Sequence, residues 1–292
     1  PPPSLRAGVR ARSRRTGAGR HQPNRSWPAS PEDVLASIGA AGQRLTEIDA
    51  AEAGAGNISV CLEQPVDLSG DFDATREVLL PYPSPALAGH TVLITGSGCR
   101  LRSLATHPER NLGAVVVHDG GMAGMLHYAT GGEFTRPTVE FNSHLAVHED
   151  HVHRRGLPFH AIVHAQPLHI TLLSNVPDYQ STGALSDRLL RWQAETIVHL
   201  PEGIGYLPFM VPGSDELTHA NLVSLRTHQR VLWAKHGVMA RSDVSVLAAC
   251  DRIEYAETAV RYGYLTLECC SRRTGLRHDD PHRAGRKSVD EE

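Results

Sequence analysis

The stretch Ala161-Ile162-Val163-His164-Ala165-Gln166-Pro167 is a β-branched run that ends in a histidine at the edge of a proline turn. It reads as a buried strand, because short apolar runs rich in Ile and Val and bounded by turn residues pack inside sheets. Residues i and i+2 of a strand share a face, so His164 and Gln166 are expected to point the same way, where they could address one ion.

Working outward, similar runs recur at Asn57 to Cys61, His90 to Thr95, Gly113 to His118, Ala123 to Tyr128, Thr196 to Leu200, Val231 to Ala234 and Gly237 to Ala240. Helices are expected between them. One begins after Ser30, which can cap it, with Pro31 at the first helical position and Glu32 and Asp33 at the positive end of the dipole, and runs to about Thr46. Others span about Val139 to Arg155, start at Ser214-Asp215-Glu216 after the Pro212-Gly213 turn, and follow the apolar stripe Ala249, Ile253, Ala256, Val260, Tyr264, Leu267. Strand-like runs alternating with amphipathic helices describe one α/β or α+β domain.

Residues 1–31 are rich in Pro, Gly, Ser and Arg (Arg6, Arg10, Arg12, Arg14, Arg15, Arg20, Arg25) with little to bury, and a charged segment returns after about Ser271. Both are expected to be disordered tails around a domain at 32–270. The chain has 292 residues, 40% of them hydrophobic, which is enough for one sizeable core, and its formal charge of -3 offers no attraction to a polyanion. Nucleic acid is therefore not an expected partner. Five cysteines without paired spacing, no apolar run long enough for a membrane span and no secretory signal lead to the expectation of a cytoplasmic protein outside the membrane.

Histidine is abundant, 18 of 292, so chance pairs must be discounted. His144, His148 and His151 lie at spacings of four and three, which puts them on one helical face. A partly solvated polar face is the reading preferred here over a metal site. His236, in Trp233-Ala234-Lys235-His236-Gly237, sits between two strand-like runs beside a glycine that permits close backbone approach.

The long irregular segment from Glu195 through Pro201-Glu202-Gly203-Ile204-Gly205-Tyr206 and Met210-Val211-Pro212-Gly213-Ser214-Asp215 to Glu216 resembles the rhamnulose-1-phosphate aldolases of the class II aldolase/adducin superfamily. Gly56-Asn57-Ile58-Ser59, Thr95-Gly96-Ser97-Gly98, Pro137-Thr138-Val139-Glu140, His164-Ala165-Gln166 and Lys235-His236-Gly237 match in the same order, from about Glu32 to Leu267. The resemblance implies a three-layer α/β fold with a central, largely antiparallel sheet flanked by helices. It also implies a homo-oligomer, a tetramer in most members.

The activity implied is that of a metal-dependent aldehyde-lyase, which cleaves a ketose 1-phosphate through an enediolate to dihydroxyacetone phosphate and an aldehyde. In such enzymes Zn²⁺, or another divalent metal, is held by a His-x-His pair and a distant histidine. His164 and His236 match two of these, and Gln166 stands where the second belongs. A carboxamide oxygen is a poorer zinc partner than imidazole. Three outcomes are open: a weaker or harder ion held partly by Gln166, a substitute ligand such as His169, or a site without metal.

By the same resemblance Glu140 is the proton shuttle and Glu195 a second active-site acid, while Gly56, Asn57, Ser97, Gly98 and Thr138 belong to the phosphate grip. Gly54 and Val139 depart from it, replacing an asparagine and a serine. Two other readings remain: a non-catalytic adducin-like binding member, and an epimerase or dehydratase of a sugar phosphate.

Overall fold

The computed structural model describes residues 30–64, 70 and 72–276, the side chains of 271–276 excepted. The expected tails lie outside the described residues but for their inner ends. Pro31 already opens a helix, and the last helix runs to Leu276, into the segment expected to be a tail.

Among the described residues nine strands form one sheet in the order β2-β5-β4-β3-β1-β6-β9-β8-β7. They are β1 (Asn57–Leu62), β2 (Ala74–Leu79), β3 (Thr91–Thr95), β4 (Leu112–Val117), β5 (Ala123–Tyr128), β6 (Phe159–Ala165), β7 (Gly205–Leu207), β8 (Arg230–Trp233) and β9 (Gly237–Ser242). All neighbours are antiparallel except β7 and β8. Helices α1 (Pro31–Glu47), α4 (Leu168–Leu173), α5 (Thr182–Trp192), α6 (Ala194–His199) and α8 (Val246–Leu276) lie on one side of the sheet, and α3 (Phe141–Arg155) and α7 (Asp215–Thr227) on the other; α2 (Pro108–Asn111) is a single turn.

The two faces of the sheet follow the period of two. Ile58 and Val60 of β1, and Ala161, Val163 and Ala165 of β6, join Ile38, Leu45, Ile253 and Ala256 in one core. Cys61 packs with Phe141 and Leu145 of α3, and Ile162 with Val147 and Leu225, in the cores of the other face. Ser59, His160 and His164 therefore project toward α3, and all three are buried.

Local signals act as expected at α1, where Ser30 and Asp33 form a reciprocal capping box, and at α7, where the Ser214 hydroxyl accepts from Leu217 N–H at 3.1 Å. The expected strand at Thr196 to Leu200 is instead helix α6. Ile197 and Val198 are 61% and 70% exposed with no strand beside them, so their β-branched side chains have no pleated surface to pack on. The hydroxyl of buried Thr196 donates instead to the Leu189 carbonyl at 2.9 Å. Two edge strands carried no sequence signal: β2 (Ala-Thr-Arg-Glu-Val-Leu) is largely exposed, and β7 has only three residues.

Candidate active site

Strand and helix ends converge at the centre of the sheet. β1 begins at Asn57, β6 ends at Ala165, β9 begins at Gly237, and the chain enters α3 through Thr138-Val139-Glu140. Gly54, Ala55, Gly56, Asn57, Gly96, Ser97, Gly98, Thr138, Val139, Glu140, His164, Gln166, Pro212 and His236 line a cleft of about 210 Å³. Nine of the ten residues singled out by sequence are in this list, from loops more than a hundred residues apart. The closeness depends on two glycines. A Cβ on Gly56, at φ +82°, would sit 2.9 Å from the His164 carbonyl oxygen, and one on Gly237 would sit 2.3 Å from that of Ala165.

At the centre, Glu140 lies between two imidazoles. Its Oε1 is 3.1 Å from His236 Nε2, and its Oε2 is 3.7 Å from His164 Nε2 and 2.7 Å from the Asn57 amide nitrogen. Burial raises the Glu140 carboxyl pKa, but His164, His236 and the Asn57 N–H outweigh it and hold the group down at about 2. Burial likewise lowers the His164 pKa against the pull of Glu140.

His164 is held by its surroundings. Its Nδ1 faces the Val238 carbonyl at 3.1 Å and so carries the proton, and its ring stacks on Trp233 at 4.6 Å between centroids. Trp233 is in turn anchored by a 3.0 Å hydrogen bond from Nε1 to Asn221 Oδ1. The Nε2 of His164 is left as a buried atom without a hydrogen bond, 3.7 Å from Glu140 Oε2. One donor atom each from Glu140, His164 and His236 falls within 4.8 Å of the others, the only such three-residue group among the described residues. Two imidazoles and a carboxylate are a set that zinc accepts, with a carbonyl-dipole partner for the buried imidazole, so these residues fit a divalent ion.

Gln166 follows the end of β6, half-buried in the cleft wall, with its N–H donated to the Ala50 carbonyl. It also borders a larger cavity of about 600 Å³ with Arg102 and Lys235 at its walls. His169 is not a substitute ligand. Its Nδ1 is 2.6 Å from Glu257 Oε1, and the same carboxylate accepts the N–H groups of His169 and Ile170, tying the start of α4 to α8.

One candidate stands apart from this chain's own cleft, and one expectation is corrected. Glu195 lies outside the cleft, on α6, 57% exposed and 3.3 Å from His199 of its own helix. The face of α3 carrying His144, His148 and His151 is buried against the sheet and not solvated. Their rings bond Ser59, Asn57, His160 and the Leu225 carbonyl. His160 drew no attention in the sequence and Ser59 did so only within the Gly56-Asn57-Ile58-Ser59 motif, although their spacing of two from Ile162 and Cys61 puts them on the α3 side.

Residues 36–264 match the class II aldolase and adducin N-terminal domain family. The chain is similar to a rhamnulose-1-phosphate aldolase of Klebsiella pneumoniae, 33% identical over 64% of this chain and 68% of that protein. It is also similar to one of Yersinia pestis, 35% identical over 64% and 69%. Among solved structures, a sugar-phosphate aldolase from Thermotoga maritima superposes with a TM-score of 0.67 at 26% identity, covering 89% of this chain and 99% of that one. With a matching sheet, a matching run of motifs and a family match over most of its length, the chain belongs to the class II aldolase and adducin N-terminal domain family.

Proposed function

We propose that the protein is a metal-dependent aldehyde-lyase that cleaves a ketose 1-phosphate of the rhamnulose-1-phosphate kind to dihydroxyacetone phosphate and an aldehyde. The observation that carries this reading is Glu140 placed between His164 Nε2 and His236 Nε2 in one cleft with the two glycine loops. His164, His236 and Glu140 would hold the divalent ion, with Gln166 beside them. When bound, such an ion supplies Lewis-acid polarisation of a carbonyl oxygen. Zinc fits this set, and its oxygen donors also admit manganese or cobalt.

Glu140 is the only acid lining the cleft among the described residues. Its buried carboxylate stands in the cleft, where it would take and return a proton at the carbon beside the ketone. Asn57 holds its Oε2, and its Oε1 faces His236. No lysine or arginine lines this cleft among the described residues. The phosphate is therefore assigned to backbone N–H groups and hydroxyls of Gly56-Asn57, Ser97-Gly98 and Thr138, as in anion-binding nests. The aldehyde portion is assigned to the larger cavity beyond Gln166.

A homotetramer belongs to the same proposal and is supported by apolar side chains open to solvent near the site, among them Phe209 (60%) and Val211 (64%). Among the described residues no helix is long and apolar enough to cross a membrane. The test is to measure bound metal in the wild type and in His236→Ala, both purified without chelators or a histidine tag, and then to assay rhamnulose 1-phosphate. Near-stoichiometric metal that disappears in His236→Ala, with aldehyde release, supports the reading. No metal after supply of zinc, cobalt or manganese overturns it in favour of an adducin-like binding role.

A further inference from the structure

Behind the cleft lies a continuous hydrogen-bonded path that the proposed chemistry does not use. From Glu140 Oε2 it passes through the Asn57 amide to His144 Nε2 (2.5 Å from Asn57 Oδ1). It continues from His144 Nδ1 through Ser59 Oγ (2.6 Å) to His148 Nε2 (2.7 Å), and from His148 Nδ1 to His160 Nδ1 (2.8 Å). Ser59, His144, His148 and His160 are all completely buried.

Elementary valence settles where each proton lies. Asn57 presents its NH₂ to Thr138 Oγ1 and Glu140 Oε2, and its oxygen to His144 Nε2. His144 must then donate from Nε2. Burial keeps all three rings neutral, holding His144 down to about 3 and lowering His148 and His160 well below the ordinary histidine value. A neutral His144 has a bare Nδ1, which accepts the Ser59 hydroxyl proton. Ser59 oxygen in turn accepts from His148 Nε2, and the bare His148 Nδ1 accepts from His160 Nδ1. His160 ends with an unprotonated Nε2, the atom that has no partner. Reversing the Ser59 hydroxyl would give His144 two N–H bonds and a charge, which its site opposes.

We propose that this one-way row of donors, His160 to His148 to Ser59 to His144 to Asn57, is a positioning device that locks the Asn57 amide with its N–H toward Glu140. It cannot serve as a proton wire into the site, because the Asn57 amide has no protonatable lone pair on nitrogen to pass a proton across. Its effect is orientation: an unlocked amide could present its oxygen to the carboxylate and repel it. Ser59, His144, His148 and His160 are thus positioning residues and do not touch the reacting atoms.

The test is long-range ¹H–¹⁵N correlation of the imidazole nitrogens in the full-length labelled protein at neutral pH, with Ser59→Ala and Ser59→Thr alongside. Expected are neutral Nε2–H tautomers at His144 and His148 and an Nδ1–H tautomer at His160. Ser59→Ala should abolish the single His144 tautomer, and Ser59→Thr, which keeps the hydroxyl, should retain it. An imidazolium, or the opposite tautomer at His144 or His148, overturns the proposal whether or not any variant folds. The activity readout rests on the lyase reading: Ser59→Ala should lower kcat by about 10- to 100-fold at little changed KM, with recovery in Ser59→Thr. An active protein in which Ser59→Ala leaves both kcat and the His144 tautomer unchanged also overturns it. The tautomers require no substrate, so failure of the lyase assay alone leaves the positioning proposal to be decided by the spectra.

Discussion

His236 Nε2 lies 3.1 Å from Glu140 Oε1, although the two residues are 96 positions apart and belong to different loops. Replacing Glu140 with Gln keeps the volume and the contact with Asn57 but removes the charge between the two imidazoles. Bound metal should fall well below stoichiometric and lyase turnover should drop by about 10²–10⁴. Elemental analysis beside single-turnover kinetics checks this, and a Glu140→Gln enzyme with undiminished metal and turnover contradicts it.

Gln166→His restores an imidazole at a position that already lines the cleft. Zinc should bind more tightly by roughly a factor of ten or more, about 1.4 kcal/mol per factor of ten, because imidazole is the better zinc donor. Competition with a fluorescent chelator reads the change directly. Equal zinc affinity in the two proteins would place Gln166 outside the coordination sphere.

Gly237→Ala should be severe. The site has φ +150°, and an added Cβ would lie 2.3 Å from the Ala165 carbonyl oxygen, so β9 would have to move away from the end of β6. A loss of about 2 to 4 kcal/mol in urea unfolding is expected, with metal affinity falling alongside because His236 is the neighbouring residue.

Acid should unfold the protein before the carboxylates titrate. The unfolded chain takes up protons on histidine from about pH 6.5 downward. In the fold His144 does so only near 3, and His148 and His160 also well below 6.5. The stability that these neutral rings allow is fully present above pH 6.5 and is lost as pH falls. The slope is about 1.4 kcal/mol per pH unit for each ring, or about 4 for the three together. Urea midpoints measured from pH 7 to 5 check this, and a flat profile would mean that the rings are not buried and neutral.

Ser30, Ser214 and the β-branched runs at Ile58, Ile94 and Ile162 act through neighbours in the chain or through a period of two, and these signals are local. On that ground the sequence alone determined the capped helices, most of the central strands and, through its motif order, the family. Thr196 to Leu200 carried the same β-branched signal and became a helix, because no neighbouring strand was there to pair with it. The weak edge strand β2 was silent for the converse reason: its partner, not its own pattern, makes it a strand.

The cleft divides in the same way. Nine candidate residues could be named from motifs, but whether Glu195 or Glu140 would reach the two histidines could not, since distance between segments is set by sheet order. Only the tertiary structure decided that α3 lies across β1 and β6, which turned His144, His148 and His151 from a supposed solvent face into a buried row against Ser59 and His160. The physical reason is that a residue's spacing specifies which face of its element it occupies, while the charge, tautomer and task of a histidine depend on what is packed against that face.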